Sequence, residues 1–124
     1  MTAERHHRGR SNYHAGISAE LCIEKAYVGN GHEVIARRWR GQGGEIDLVF
    51  RKDDVLFFVE VKQARDFERA AESLRRAQMR RIASAAEEFL GNQPNGALTE
   101  CRFDVGLVDG RGAHCILENV FMLH

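Results

Sequence analysis

The chain has 124 residues, 44% of them hydrophobic and 29% charged, which is the size and composition of one globular domain with its own core. Its 18 basic and 18 acidic side chains give a formal net charge of zero, which argues against a protein coated in positive charge. There is no apolar run of the roughly 18 residues that a membrane span needs, and no apolar segment follows the basic N-terminus. We therefore expect no membrane partner, no secretory signal and a cytoplasmic location.

The elements follow a simple order. Residues 1–10 are predicted to form a flexible basic arm, and 11–124 a single domain. The pattern predicts a helix over 12–28, strands over 32–39, 45–50 and 55–62, a long helix over 66–90, and strands over 101–108 and 114–123. The order α-β-β-β-α-β-β predicts an α/β fold with helices packed on a central mixed sheet.

The arginines are unevenly distributed. Fifteen of the basic residues are Arg and three are Lys, and they gather in "RHHRGR" near the start, "RRWR" at 37–40 and "RRAQMRR" at 75–81. The planar guanidinium binds phosphate through two parallel hydrogen bonds, so such clusters can form a phosphate track on a neutral protein. The alternative is a set of solvated faces and salt bridges. The predicted partner is DNA, and the predicted nucleic-acid-binding residues are Arg37, Arg38, Arg40, Arg75 and Arg76.

Neither cysteine nor histidine indicates a metal site. Cys22, Cys101 and Cys115 are far apart, odd in number and outside any CxxC pairing, so they predict buried free thiols rather than a zinc ribbon or a disulfide framework. The six histidines show no metal-ligand spacing.

The strand "VLFFVEVKQ" at 55–63 carries two charges among apolar residues. Side chains two apart on a strand share a face, so Glu60 and Lys62 emerge together on the side of Phe58. In a strand covered on both faces, a charge is costly to bury unless it is paired or binds an ion. A structural ion pair between Glu60 and Lys62 and an ion-binding site are both open interpretations.

The preceding strand favours the ion-binding site. In "GGEIDLVF" at 43–50, a hairpin with 55–62 would bring Asp47 beside Glu60. Two carboxylates at one point repel each other, and a divalent cation resolves the conflict. Mg²⁺ (or Mn²⁺) suits this arrangement, because Mg²⁺ takes one or two carboxylates and fills its other positions with waters and phosphate oxygens. The backbone carbonyl of Val61 would supply a further oxygen.

Two helical residues also point towards this place. Gln78 lies within the apolar stripe of the long helix, where it is either a satisfied core amide or reaches a polar site on the sheet. Glu20 lies beside the apolar row of the first helix, and a plain surface glutamate is the alternative for it.

Together, Glu20, "GGEIDLVF" with Asp47, "FVEVK" with Glu60 and Lys62, and the helix with Gln78 resemble the PD-(D/E)XK nuclease superfamily. The chain is similar to archaeal Holliday-junction resolvases and, more closely, to the bacterial YraN family (UPF0102), over nearly everything after residue 14. The resemblance implies a restriction-endonuclease-like fold and metal-dependent phosphodiester cleavage. It implies Asp47 and Glu60 as metal ligands, Lys62 as the catalytic lysine, Glu20 as an acid holding metal through water, and a polar role for Gln78.

Three functions remain open from the sequence. The working hypothesis is a Mg²⁺-dependent endonuclease acting on branched or otherwise structured DNA. The first alternative is a catalytically silent nucleic-acid-binding module on the same fold. The second is a protein-interaction domain whose final apolar strand, "ILENVFML" at 116–123, forms an exposed edge that would also pair two subunits in a homodimer.

Overall fold

The computed structural model describes the backbone of residues 18–72 and 76–120, and the side chains of 18–70 and 78–120. The predicted basic arm at 1–10 and the first residues of the predicted first helix lie outside this part of the chain. The same holds for Arg75 and for the side chain of Arg76.

The elements confirm the predicted order. They are α1 (18–29), β1 (Glu33–Arg40), β2 (Glu45–Lys52), β3 (Val55–Gln63), α2 (Phe67–Glu72), α3 (Arg76–Gly91), a short 3-10 helix (Gly96–Leu98), β4 (Cys101–Val108) and β5 (His114–Leu117). The long predicted helix corresponds to α2 and α3, which lie on either side of 73–75. Within the described ranges, no helix combines the length and the apolar character needed to cross a membrane.

The five strands form one mixed sheet in the order β1-β2-β3-β4-β5. Neighbouring strands are antiparallel except β3 and β4, which run parallel and are connected through the α2–α3 segment. The carboxyl ends of β3 and β4 therefore meet at one end of the sheet, where the antiparallel β2 begins. We call this the site end.

Helices cover both faces of the sheet. On one face, α1 packs Ile23 and Tyr27 against Phe57 and Val59 of β3. On the other, α3 packs Ile82 and Phe89 against a group of buried strand residues that includes Val49, Leu56, Phe58 and Phe103. The predicted alternation of β3 is confirmed, because Leu56 and Phe58 belong to one core and Phe57 and Val59 to the other.

The middle of β4, on the α1 face of the sheet, carries a buried charge network that the sequence analysis did not find. Asp104 of β4 is 1% exposed. Its carboxylate accepts hydrogen bonds from the Tyr27 hydroxyl at 2.5 Å, from the Arg102 guanidinium at 2.9 and 2.8 Å, and from the Asn119 amide at 3.0 Å. The network fastens the end of α1 and the chain after β5 to the middle of the sheet.

The cysteines are free thiols, as predicted, but they are partly exposed rather than buried. Cys22 lies beside the buried row of α1 formed by Ala19, Ile23 and Tyr27. Cys101 opens β4, and Cys115 lies on the outermost strand β5, so none of the three is covered on all sides.

Candidate active site

Asp47 occupies a gap between two diverging strands. The pairing of β2 with β3 ends at Leu48 and Val59. Just beyond it, the Asp47 Oδ2 atom accepts the amide N–H of Val61 at 2.8 Å, in the place of a backbone carbonyl. Because the amide and the carbonyl of one strand residue face the same neighbour, the Val61 carbonyl faces this gap too. The Asp47 carboxylate and the Val61 carbonyl, both predicted as oxygen ligands, therefore face the same gap between β2 and β3.

Glu60 meets Asp47 at this gap. It is only 9% exposed, and its carboxyl group is hydrogen-bonded to the Asp47 carboxylate. The Gln78 Nε2 atom of α3 donates a hydrogen bond to Glu60 Oε1 at 3.0 Å, and the Lys62 Nζ atom lies 3.7 Å from the same oxygen. Gln78 is thus a polar contact to the sheet rather than a satisfied core amide. Four of the predicted residues, Asp47, Glu60, Lys62 and Gln78, come together.

The pKa values of both carboxyl groups are raised, so the metal-free pair favours a state that keeps one proton. Burial raises the pKa of Glu60 to about 8, and the Asp47 charge adds to the rise while the Lys62 ammonium opposes it. Burial also raises the pKa of Asp47, against the hydrogen bonds from Val61 and Glu60. A carboxyl pair of this kind ionises only once near neutral pH unless a cation replaces the proton. The pair therefore fits a divalent ion such as Mg²⁺, which proteins bind through one or two carboxylates.

Glu20 stands apart from this group. It reaches the site end from α1, but its Oε2 atom accepts a hydrogen bond from Arg38 Nε at 2.9 Å. Burial raises its pKa, and the charges of Asp47 and Glu45 add to the rise, so Glu20 lies within electrostatic reach of Asp47. Among the described residues, no three His, Cys, Asp or Glu side chains are gathered closely enough to hold a metal. The metal-binding role of Glu20 stays a prediction.

The glycine-rich turn before β2 is fixed to α3. Glu88 accepts the amide N–H groups of Gln42 at 2.8 Å and of Gly43 at 2.6 Å. A Cβ atom on Gly43 would overlap the Ser84 side chain, so only glycine allows the turn to lie this close to the helix. The sequence predicted a turn here, whereas the contact with α3 sets where β2 begins and hence where Asp47 lies.

The predicted phosphate-binding arginines of β1 are each engaged by a carboxylate. Arg37 pairs with Glu24 at 2.7 Å and Arg40 with Glu45 at 3.3 Å, in addition to the Arg38–Glu20 pair. Glu24, the partner of Arg37, lies one helical turn after Glu20 on α1. We therefore do not count Arg37 in a phosphate track.

Other arginines at the site end are better placed. Arg80 and Arg81 on α3 belong to the predicted 75–81 cluster, and Arg65 and Arg111 follow β3 and β4. All four are exposed, and their side chains form no ion pair with the described residues. Arg65 and Arg111 were missed, although their positions just after two parallel strands would have indicated the same end of the sheet.

Comparison with known proteins gives one consistent result. The model of the uncharacterised protein family UPF0102 matches residues 19–108, which include Glu20, Asp47, Glu60, Lys62 and Gln78. A UPF0102 protein of Ruegeria pomeroyi is 54% identical, over 92% of this chain and 93% of the relative. Another of Roseobacter denitrificans is 52% identical, over 96% and 92%. One of Dinoroseobacter shibae is 46% identical, over 98% and 91%. The chain described here belongs to the UPF0102 family.

Proposed function

We propose that this protein is a metal-dependent nuclease that hydrolyses DNA phosphodiester bonds, on the plan of the PD-(D/E)XK superfamily. The observation that carries the proposal is the buried carboxyl pair of Asp47 and Glu60 with the Lys62 ammonium 3.7 Å from Glu60. Burial of two carboxyl groups at one point raises the free energy of their charged forms, and structural needs alone do not call for it.

The pair is the place for a divalent ion. Asp47, Glu60 and the Val61 carbonyl would hold Mg²⁺ or Mn²⁺, with Glu20 as a further acid nearby. An ion held there would polarise a phosphoryl oxygen and lower the pKa of the attacking water.

The surrounding residues orient the reacting groups. Lys62 Nζ, on the same face of β3 as Glu60, donates hydrogen bonds to the attacking water and offsets negative charge that develops on the phosphoryl oxygens. Gln78 holds the Glu60 carboxylate by its hydrogen bond to Oε1. Arg80, Arg81, Arg65 and Arg111 bind flanking phosphates, which positions DNA without reading its sequence.

A cleavage assay tests the proposal. The purified protein is incubated with branched, nicked and single-stranded DNA in Mg²⁺ or Mn²⁺, beside the Asp47→Asn, Glu60→Gln and Lys62→Ala variants. We expect metal-dependent cutting that each substitution reduces at least about a hundredfold, since these groups contact the reacting atoms. Cutting that survives all three substitutions would come from a contaminant or another site and would end the proposal.

The assay also separates the alternative of a silent binding module. One observation favours that alternative: Glu20, one of the predicted metal-binding acids, forms an ion pair with Arg38. It predicts DNA binding with a steep salt dependence and no cutting in any metal. Retention on DNA by wild type and Glu60→Gln alike, with intact substrate throughout, would support it.

Two further expectations belong to this proposal. A nuclease of this kind would act in the cytoplasm, which fractionation of cells expressing the tagged chain tests. A homodimer would use the open side of β5, where Leu117 is exposed and β4 is the strand's one neighbour among the described strands. Light scattering at several protein concentrations measures that association.

A further inference from the structure

Arg38 sits opposite the carboxyl pair in an unusual backbone conformation. In the β1–β2 ladder, Arg37 pairs with Leu48 and Trp39 with Ile46, so Arg38 lies across from Asp47. Its φ of 48° falls in the left-handed region, which is sterically unfavourable for a residue with a side chain. Such a conformation persists where the surroundings hold it, and an outlier beside a candidate site is a reason to look for a role.

The side chain of Arg38 holds Glu20. Its Nε atom lies 2.9 Å from Glu20 Oε2, while Glu20 is within electrostatic reach of Asp47. The Arg38 side chain remains 41% exposed, so it faces the solvent from which a DNA phosphate would arrive. A guanidinium binds a carboxylate and a phosphate with the same planar set of donors, so the second can replace the first.

We infer that Arg38 is a positioning residue that keeps Glu20 out of the metal site until a DNA phosphate takes the place of the carboxylate. When Arg38 moves to the phosphate, Glu20 is released to join Asp47 and Glu60. The inference rests on the proposed function and deepens it, because it couples assembly of the metal site to the presence of the substrate.

The coupling predicts a specific pattern of metal affinity without DNA. We measure Mn²⁺ binding by titration calorimetry for wild type, Arg38→Gln, Glu20→Gln and the double variant. Arg38→Gln should bind Mn²⁺ at least about tenfold more tightly, the scale of effect seen when a residue that orients a metal ligand is changed. Glu20→Gln alone should bind like wild type, because its carboxylate is already held by Arg38. The double variant should return to the wild-type affinity.

This pattern differs from a simple effect of charge. If Arg38 acted only by its positive charge, Glu20→Gln would weaken binding equally in both backgrounds, and the two changes would add. Arg37→Gln is the matched control, because it removes a similar ion pair between β1 and α1, to Glu24, one position along the strand. It should leave the Mn²⁺ affinity unchanged, and thermal melting should show each variant folded.

The outcomes separate this inference from the proposed function. Mn²⁺ binding that Asp47→Asn abolishes, but that is no tighter in Arg38→Gln than in Arg37→Gln, overturns the role of Arg38 and leaves the metal site standing. Additive effects of the two substitutions overturn it as well. If Arg38→Gln does not fold, Glu20→Gln still decides: a loss of Mn²⁺ affinity in that variant alone means that Glu20 is a ligand already, without release by phosphate.

Discussion

At the scale of single residues, the candidate site depends on where the proton of the carboxyl pair resides. The pKa of Glu60 is raised to about 8, while the Val61 amide N–H, which donates to Asp47, favours the anionic form of that carboxylate and opposes the rise of its pKa by burial. The two chemically similar groups therefore differ because of their neighbours: Glu60 contacts the Gln78 and Lys62 side chains, and Asp47 accepts a backbone N–H. A cation that enters the site must displace this proton, so metal binding and proton release are linked.

The raised pKa of Glu60 predicts how the metal-free protein responds to pH. A folded-state pKa of about 8, above the ordinary value of 4.5, means that protonation stabilises the folded form. This contribution is complete below about pH 4.5 and is lost as the pH rises towards 8. In EDTA, we expect the melting temperature to fall over this range, and Glu60→Gln to flatten the fall. Millimolar Mn²⁺ should restore wild type at pH 8 and have little effect on the variant.

The matched control for that measurement is Glu87→Gln, which removes an exposed carboxylate from α3. Its pH profile should run parallel to that of wild type. Parallel profiles for Glu60→Gln and wild type would contradict the shared proton.

Asp104 is a buried carboxylate with a different purpose. It accepts hydrogen bonds from Tyr27, Arg102 and the Asn119 backbone N–H, which stabilise its charge. It lies in the middle of β4 with its carboxylate on the α1 face of the sheet, whereas Glu60 contacts α3. Asp104→Asn leaves the Arg102 guanidinium with only the exposed Glu118 as an acidic partner, at 3.6 Å. We expect a loss of about 1.5–3 kcal/mol in the free energy of unfolding, measured in urea, because charge-assisted hydrogen bonds are weakened. Tyr27→Phe, which removes one hydrogen bond, should cost about 1 kcal/mol.

The folded Asp104→Asn protein should keep the wild-type Mn²⁺ affinity, in contrast to Asp47→Asn. A loss of affinity comparable to that of Asp47→Asn would mean that the network around Asp104 also shapes the metal site.

At the scale of elements, the site lies where the hydrogen-bonded pairing of β2 with β3 ends, at Leu48 and Val59. The sequence was sufficient for the order of the elements along the chain and for the two faces of β3, because both follow from local periodicity. It was also sufficient to bring Asp47 next to Glu60, because a hairpin between neighbouring strands leaves few alternatives. The hydrogen bond of Asp47 to the Val61 amide depends on the divergence of β2 from β3, which side-chain alternation does not encode.

Contacts between elements that are distant in sequence were the harder part. Arg38 meets Glu20, Glu88 meets the turn at 42–43, and Asp104 meets Tyr27, each through helix–sheet packing across 18 or more residues. Charge clusters in the sequence predicted solvent-facing arginines on β1, but the acidic residues that neutralise them lie on α1 and at the start of β2. Their pairing follows from the packing of α1 against the sheet.

The turn between β1 and β2 gives a test of how an element positions the site. Gly43→Ala introduces a Cβ atom that overlaps Ser84, so the turn must move off α3 and lose its hydrogen bonds to Glu88. We expect a loss of about 1–3 kcal/mol in urea unfolding and a weaker Mn²⁺ affinity, because Asp47 follows four residues later. Ser84→Ala in the same chain should recover part of both.

Gly91→Ala serves as its control, since a Cβ atom at Gly91 meets nothing within 4 Å. Equal effects of the two alanine substitutions on Mn²⁺ affinity would contradict the role assigned to the turn.

At the scale of the whole molecule, zero net charge conceals an uneven distribution. The site end carries Arg80 and Arg81 from α3, Arg65 after β3 and Arg111 after β4, all exposed. The opposite end has Arg102 folded onto Asp104 and packed 4.6 Å over the Phe57 ring. Four exposed guanidinium groups therefore lie at the end of the sheet that holds the carboxyl pair, even though the protein as a whole is neutral.

This arrangement predicts the salt dependence of DNA binding. Each arginine that neutralises a phosphate releases counterions, so removing one should lower the slope of log affinity against log salt by about 1. We expect Arg80→Gln and Arg81→Gln each to weaken binding to a duplex in EDTA and to reduce the slope, measured by fluorescence anisotropy. Arg51→Gln, at the far end of β2, removes the same charge and should leave the slope unchanged. An equal reduction by Arg51→Gln would mean that DNA binds without reference to the site end, and the arginines around the carboxyl pair would then have no special part in bringing a phosphate to it.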